Sequence, residues 1–302
     1  MAGQHLQETS LRYFLEVVKR GSIREAAERL FVSSSAVSRQ ISALEDALNT
    51  QLFERRPRGM ALTAAGEVLA MYARRVSLET DRVVSEIQAL KGLRKGMVRV
   101  ATSSGFALEF LPSVIARFQM EYPGIQFQMR VSRSSSVTTA ILRGDADIGL
   151  TYSRAAERDI SVGFQQAAPV MAIMKPNHPL AGSESLELVQ LKPYNLALPD
   201  RDNTVRQLFD VGSSRHRLIL EAALESDNFE SLIHYVLHTD AVTIGGEITV
   251  RERLRNGTLV ARPFRDTGMS DRFIELQTLT GRTLPEGVRA FMDRLKAELT
   301  AA

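Results

Sequence analysis

Near the start of the chain three short amphipathic segments follow one another with breaks of only two or three residues, which leaves few ways to fold. Leu11, Phe14, Leu15 and Val18 recur at i, i+3, i+4 and i+7, the stripe of a helix with one buried face. Ser10 stands before it as a candidate N-cap, and Gly21 closes it. Ser22 then caps a second helix over 23–30, where Ala26 and Ala27 are small enough for another helix to cross closely. Phe31, Val32 and Ser33 form the break. Ser33 caps a third helix over 34–48 with Val37, Ile41 and Leu44 facing inward. Three short helices with a small-residue crossing and a tight turn describe a helix-turn-helix.

The outward face of the third helix carries Ser34, Ser35, Ser38, Arg39 and Ser42, with Ser33 at its start and Gln40 near its edge. Polar side chains at the start of an exposed helix suit base-edge readout in the major groove. The competing reading is that these serines are caps and solvent-facing filler. Downstream, Leu52-Phe53 and Ala61-Leu62 read as two short strands around a Pro/Gly turn bearing Arg55, Arg56 and Arg58, a basic wing able to reach phosphates or the minor groove. Charge agrees: residues 1–95 hold 15 Lys/Arg against 11 Asp/Glu, whereas the remainder holds 23 against 24. The positive excess therefore sits where a polyanion would dock.

The order of these motifs resembles the LysR-type transcriptional regulators. The matching pieces are Leu11-Arg12-Tyr13-Phe14, Ala26-Ala27-Glu28-Arg29-Leu30, Val32-Ser33, Ala36-Val37-Ser38-Arg39-Gln40-Ile41, Leu44-Glu45, Leu52-Phe53-Glu54-Arg55 and Leu62-Thr63-Ala64-Ala65-Gly66, covering nearly all of the first 66 residues. The family often has Gln-Pro where this chain has Ser34-Ser35. Shorter hydroxyls cannot make the bidentate amide contact to adenine, so the family's docking mode carries over and its base preference does not. Thr63 caps a long helix to about residue 90, in which Leu69, Val76, Val83 and Leu90 lie seven apart beside Tyr72 and Ile87. Such a seam pairs with another helix or packs on its own chain's core. The resemblance implies the first, a dimer whose two heads address paired half-sites, with a tetramer built from two dimers.

From residue 97 strand and helix patterns alternate, which predicts βαβ units and a mainly parallel sheet. The expected strands are 98–101, 125–131, 146–150, 170–174, 195–198, 218–223, 241–244 and 273–279; helices are expected over 106–121, 137–143, 205–209, 229–237 and 285–299. The predicted architecture is an all-α winged helix-turn-helix over 1–62, a linker helix over 63–92, and a bilobed α/β effector domain of periplasmic-binding-protein type over 97–302. Its first lobe takes 97–167 and 266–302, and its second 168–265. The segment Leu142-Arg143-Gly144-Asp145-Ala146-Asp147-Ile148-Gly149-Leu150 resembles one recurrent in the family, and Asn177-His178-Pro179-Leu180 resembles a family turn in which His178 is structural.

Between facing lobes a ligand binds near strand ends and helix starts. Four clusters fall there by chain order: Thr102-Ser103-Ser104, Ser134-Ser135-Ser136, Asp202-Asn203-Thr204 and Ile244-Gly245-Gly246. Their hydroxyls and backbone N–H groups suit a polar or anionic small molecule, or serve as ordinary helix caps. The resemblance singles out Thr102, Ser103, Ser135 and Thr204 as effector contacts. Arg133, Arg154 and Arg201 are candidates to neutralise a carboxylate.

The chain has no cysteine, which excludes disulfides, zinc–thiolate sites and thiol nucleophiles. Of five histidines, His234 and His238 share a helical spacing, but two ligands make no closed metal site, and no metal or cofactor is expected. A polar N-terminus without a signal-type apolar core, and no apolar run of spanning length, give the expectation of a cytoplasmic protein. Neither GxSxG, GxGxxG nor a Walker sequence appears, so an enzyme on the α/β portion lacks support. A solute-binding protein without gene control would account for the lobes but leave residues 1–90 unexplained.

Overall fold

The computed structural model describes residues 9–56, 59–90 and 96–300. Two compact units make up the described chain, one built on the N-terminal residues to the end of the long helix and one running from Gly96.

In the first unit α1 (Thr9–Arg20), α2 (Ile23–Leu30) and α3 (Ser34–Leu48) precede a two-stranded wing, β1 (Phe53–Arg56) and β2 (Gly59–Leu62), and the long helix α4 (Ala64–Leu90). Ser10 lies inside α1 and is buried, so it is not the cap that its sequence position suggested; the helix begins at least one residue earlier. Ser22 and Ser33 do cap: their hydroxyls accept from the Glu25 N–H and the Ala36 N–H, the latter at 3.2 Å. Between α2 and α3 the chain turns through Phe31 at φ 57°, which ends α2 in the left-handed region. Ala26, Ala27, Val37 and Ile41 meet Phe14, Val17 and Leu52 in one core.

That core also takes in α4. Ala70 and Ala73 are buried in it, and Leu69 and Val76 pack on its edge, so the first half of the seven-residue seam docks on its own head. Tyr72 and Ile87 are exposed at 58% and 46%. The Leu90 side chain lies outside the described residues.

The second unit holds two five-stranded sheets. The first has the order β4 (Ile125–Val131), β3 (Gly96–Thr102), β5 (Ile148–Ser153), β12 (Phe273–Leu279), β6 (Ile160–Ala167). The second has the order β11 (Val260–Pro263), β7 (Met171–Met174), β10 (Val242–Gly245), β8 (Leu196–Pro199), β9 (Ala222–Ser226). Helices α5 (Ser104–Ala107), α6 (Phe110–Glu121), α7 (Ser134–Leu142) and α11 (Glu286–Thr300) accompany the first, and α8 (Thr204–Arg215), α9 (Phe229–His238) and α10 (Arg251–Arg255) the second.

Neither sheet is mainly parallel, contrary to the expectation from alternation. β3 pairs parallel with β4 and β5, and β8 with β9 and β10, but β12 runs antiparallel to β5 and β6, and β7 to β10 and β11. The reversed strand in each sheet is the one by which the chain enters that lobe from the other. It starts at the crossover, where its neighbours finish.

Strands β6 and β11 were absent from the sequence-based expectation, and β9 starts at Ala222 rather than 218. Arg217 sits at φ 53° with Leu218 N–H bonded back to the Ser213 carbonyl, while Leu218 and Leu220 are spent on the second lobe's core. In the Arg143–Leu150 turn, Asp147 is buried and accepts from the backbone N–H of Arg99 at 2.8 Å and from its guanidinium at 2.9 Å, locking β3 to the start of β5. His178 is also buried. Its Nδ1 accepts from the Leu180 N–H at 3.2 Å, its ring lies 4.5 Å from that of Tyr194, and burial pushes its pKa down.

Gly66 is fixed by packing rather than by its dihedral angles. A Cβ there would lie 2.1 Å from the Leu52 carbonyl oxygen and 2.8 Å from Leu62 Cδ2. Gly66→Ala therefore forces the wing off the base of α4. Urea unfolding should show the head destabilised by about 1–3 kcal/mol; an unchanged midpoint would mean that the wing is not clamped there.

Candidate functional site

On the head, burial of Val37 and Ile41 fixes which way α3 faces. Ser33, Ser34, Ser35, Ser38, Arg39 and Ser42 are exposed, and Gln40 is half-buried. Ser33 and Ser35 are partly engaged with each other, their hydroxyl oxygens 3.0 Å apart, whereas Ser38, Arg39 and Ser42 continue the same polar face. The wing is tied beside α3 by Glu45, whose carboxylate accepts from the Leu52 N–H at 2.8 Å and the Phe53 N–H at 3.4 Å. A second tie runs from the Met60 N–H to the Gly21 carbonyl at 2.8 Å. Arg56 is exposed and paired with Glu54. Arg55 lies on β1 opposite Met60, with its side chain outside the described residues, as is the whole of Arg58. Phe31, exposed at 88% in the turn, was not singled out by the sequence reading.

Along α4, Tyr72, Val76 and Val83 line an apolar groove bordered by Arg75, Glu79 and Thr80. Arg82 is bound by Glu79 and, at 2.5 Å, by Glu86, which keeps its charge fixed on the same helix.

In the second unit a cleft of about 460 Å³ opens between the two sheets. Four helix starts converge on it. Ser103, Ser104 and Gly105 come from the end of β3 and the first turn of α5, and Ser134 and Ser135 from the start of α7. Asn203 and Thr204 come from the start of α8, and Asp227 and Phe229 from the start of α9. Gly245 and Gly246 follow β10. Seven of the nine expected effector contacts thus line the cleft: Ser103, Ser104, Ser134, Ser135, Asn203, Thr204 and Gly245.

Thr102 and Ser136 do not. Thr102 is fully buried at the end of β3, where its hydroxyl donates to the Leu150 carbonyl at 3.0 Å and joins β3 to β5. Both faces of β3 are covered at that point, so its last side chain is committed to the sheet. Ser136 is exposed, one residue further into α7 than the part that lines the cleft. Of the three candidate arginines only Arg133 lies on the cleft, paired with Asp202 at 2.5 Å and Asp200 at 3.4 Å; Arg154 and Arg201 are exposed elsewhere.

The floor holds two residues that sequence reading missed, Tyr152 and Arg272. Both are buried, with the guanidinium carbon 4.0 Å from the tyrosine ring centroid. No local signal marks them, since both are brought there by strands 120 residues apart in the chain. His216 and His234 bind Asp266 and Glu230 at 3.2 Å each, and no group of acidic and histidine side chains among the described residues could hold a metal ion. No described helix is long and apolar enough to cross a membrane.

Comparison with known proteins settles the kinship. Residues 9–67 match the family model of the bacterial regulatory helix-turn-helix protein, lysR family, and residues 91–300 match that of the LysR substrate binding domain. The chain is a LysR-type transcriptional regulator. Members of this family are DNA-binding regulators and not enzymes. The HTH-type transcriptional regulator YeiE of Escherichia coli (strain K12) is 30% identical over 256 residues, 84% of this chain and 85% of that one. The RuBisCO operon transcriptional regulator of Allochromatium vinosum is 28% identical over 68% of each chain.

Two solved structures share the regulator's fold at low identity. ArgP from Mycobacterium tuberculosis has a TM-score of 0.70 at 18% identity, covering 97% of both chains. Full-length OxyR from Pseudomonas aeruginosa has a TM-score of 0.69 at 20% identity, covering 96% of this chain and 93% of that one.

The position of Thr102 reverses the expectation attached to it. Thr102→Val removes a buried hydrogen bond, so the unfolding free energy should fall by about 1 kcal/mol. The midpoint of a ligand titration on the folded protein should not move; a shifted midpoint would return Thr102 to the cleft.

Proposed function

We propose that this LysR-type regulator reads its operator with the exposed face of α3 and the flanking wing, and that a small polar or anionic effector in the cleft modulates its activity. One observation carries the reading: α3 buries its apolar stripe and turns a continuous serine–arginine face outward, with a wing tied beside it by Glu45. Ser33, Ser34, Ser35, Ser38, Arg39, Gln40 and Ser42 meet the groove, and Arg55, Arg56 and Arg58 meet the backbone. A solved CbnR complex with its target DNA, which has a TM-score of 0.54 at 18% identity over 96% of this chain and 98% of that one, supports this docking mode.

Dimers form along α4 through Tyr72, Val83 and Ile87, with Leu69 and Val76 shared between that seam and the head, and two dimers assemble into a tetramer. The protein works in the cytoplasm. In the cleft, Ser103, Ser104, Ser134, Ser135, Asn203, Thr204 and Gly245 contact the effector. Binding acts on DNA only to the extent that one arrangement of the lobes holds the effector more tightly than another.

Removing two cationic side chains from the head tests the DNA reading. Arg39→Ala combined with Arg55→Ala should weaken operator binding roughly a hundredfold at fixed salt and lower the salt dependence, with the circular dichroism unchanged. Equal duplex affinity in mutant and wild type would show that the reading head is elsewhere.

A further inference from the structure

Arg272 is the largest of the fully buried side chains, and its charge is unmatched. Nε donates to the Ala168 carbonyl at 3.0 Å, but neither Nη1 nor Nη2 has a hydrogen-bond partner, although both are shielded from solvent. Glu247, one residue beyond Gly246, is held by Arg251 at 3.0 Å. Burying a cation without a counter-charge is costly, and arginine cannot escape by losing its proton at neutral pH. A charge kept in such a place is matched when something else arrives.

Its surroundings describe what arrives. The guanidinium stacks on Tyr152, whose ring stacks in turn on Phe106 at 4.6 Å and 25°, so the plane of the fork is set before any ligand binds. The Ser103 hydroxyl is likewise buried without a partner, and the Tyr152 hydroxyl is buried beside the Thr249 side chain; Tyr152 and Ser103 both line the cleft with Arg272. Burial pushes the tyrosine pKa up, which keeps its hydroxyl a donor. An ideal Cβ on Gly246 would lie 2.9 Å from Arg272 Nη2 and 3.1 Å from the Tyr152 hydroxyl, so the two donors sit side by side against the Gly246 backbone, where a side chain would crowd both. Elsewhere on the lining three carboxylates, Asp200, Asp202 and Asp227, stand against the single cation Arg133, which pairs with the first two.

We propose that Arg272 is the anion anchor of the cleft, receiving on its Nη1–Nη2 edge the singly charged oxyanion head of a small ligand, with Tyr152 and Ser103 donating beside it. This rests on the cleft being the effector site and adds the chemical class of the effector. Two parallel N–H donors match a planar carboxylate or two oxygens of a tetrahedral head. The surplus of carboxylates elsewhere on the lining disfavours a second negative charge.

Thermal unfolding of the full chain, without DNA, tests this with sodium acetate, sodium methanesulfonate, sodium sulfate and sodium chloride at matched ionic strength. Acetate or methanesulfonate should raise the wild-type Tm above the chloride control, the larger of the two identifying a planar or tetrahedral head, and sulfate should do less. Arg272→Gln should reduce the apparent affinity for the effective monoanion roughly tenfold to a hundredfold. Gly246→Ala, which keeps the charge and pushes a methyl against both donors, should reduce it too, and decides the matter if Arg272→Gln does not fold. The anchor is overturned if no monoanion acts beyond chloride, or if the response survives both substitutions. A response that survives Arg272→Gln but is lost in Thr204→Val overturns the anchor alone and leaves the cleft as the effector site. Operator binding is measured separately and is untouched by either result.

Discussion

Two reciprocal hydrogen bonds hold the crossovers between the lobes together: the Ala168 N–H donates to the Arg272 carbonyl at 2.9 Å, and Arg272 Nε donates to the Ala168 carbonyl at 3.0 Å. A third, from the Val170 N–H to the Met269 carbonyl at 2.7 Å, extends the tie. Because β7 and β12 both set out from this point, each is reversed in its own sheet, and the remaining strands finish facing the cleft. The helix starts that follow those strands therefore converge, and the tie puts the Arg272 head group on the floor between them. Sheet topology, cleft and buried charge are one consequence of how the chain crosses.

The head could be read from sequence because its determinants are local. A hydroxyl capping the N–H three residues on, two alanines at a crossing and a stripe at 3.6-residue spacing lie close together in the chain, as at Ser22, Ser33 and Val37. The cleft was legible only where a hydroxyl cluster follows a strand. There the resolution stops at one residue: Thr102 ends the strand and is drawn into the sheet, whereas Ser103, extended at φ −84° and ψ 158°, opens the next helix and reaches the cleft. Arg272 and Tyr152 were invisible, because their partnership depends on register between β12 and β5, where Ile274 pairs with Tyr152. Nothing within ten residues of either encodes that pairing.

The seam of α4 shows a different limit. A strict seven-residue repeat on a 3.6-residue helix drifts by about 20° per repeat, so its members do not all face one way. Leu69 and Val76 meet the head, with Ala70 and Ala73 buried beside them, while Val83, the next member, lines the apolar groove with Tyr72. A repeat announces an apolar stripe without naming what covers each part of it. Here the same stripe serves the head first and leaves its later portion uncovered in the single chain.

Across the cleft the lobes meet through few charges. Arg133 reaches Asp202 in the open, with both side chains 63% exposed, and such a pair contributes less than about 1 kcal/mol. Away from the cleft lining, Arg253 is half-buried between Glu109 at 3.1 Å and Glu230 at 2.5 Å, while Glu109 also accepts from the Glu252 N–H at 3.2 Å. These contacts join side chains from the two lobes, whereas the tie between Ala168 and Arg272 belongs to the crossovers themselves. Allosteric coupling amounts to roughly 1–3 kcal/mol, so the exposed Arg133–Asp202 pair is weak enough for a ligand to outweigh it. If Arg272 is the anion anchor proposed above, it supplies the differential, since its charge is then matched only when an anion is enclosed on the floor.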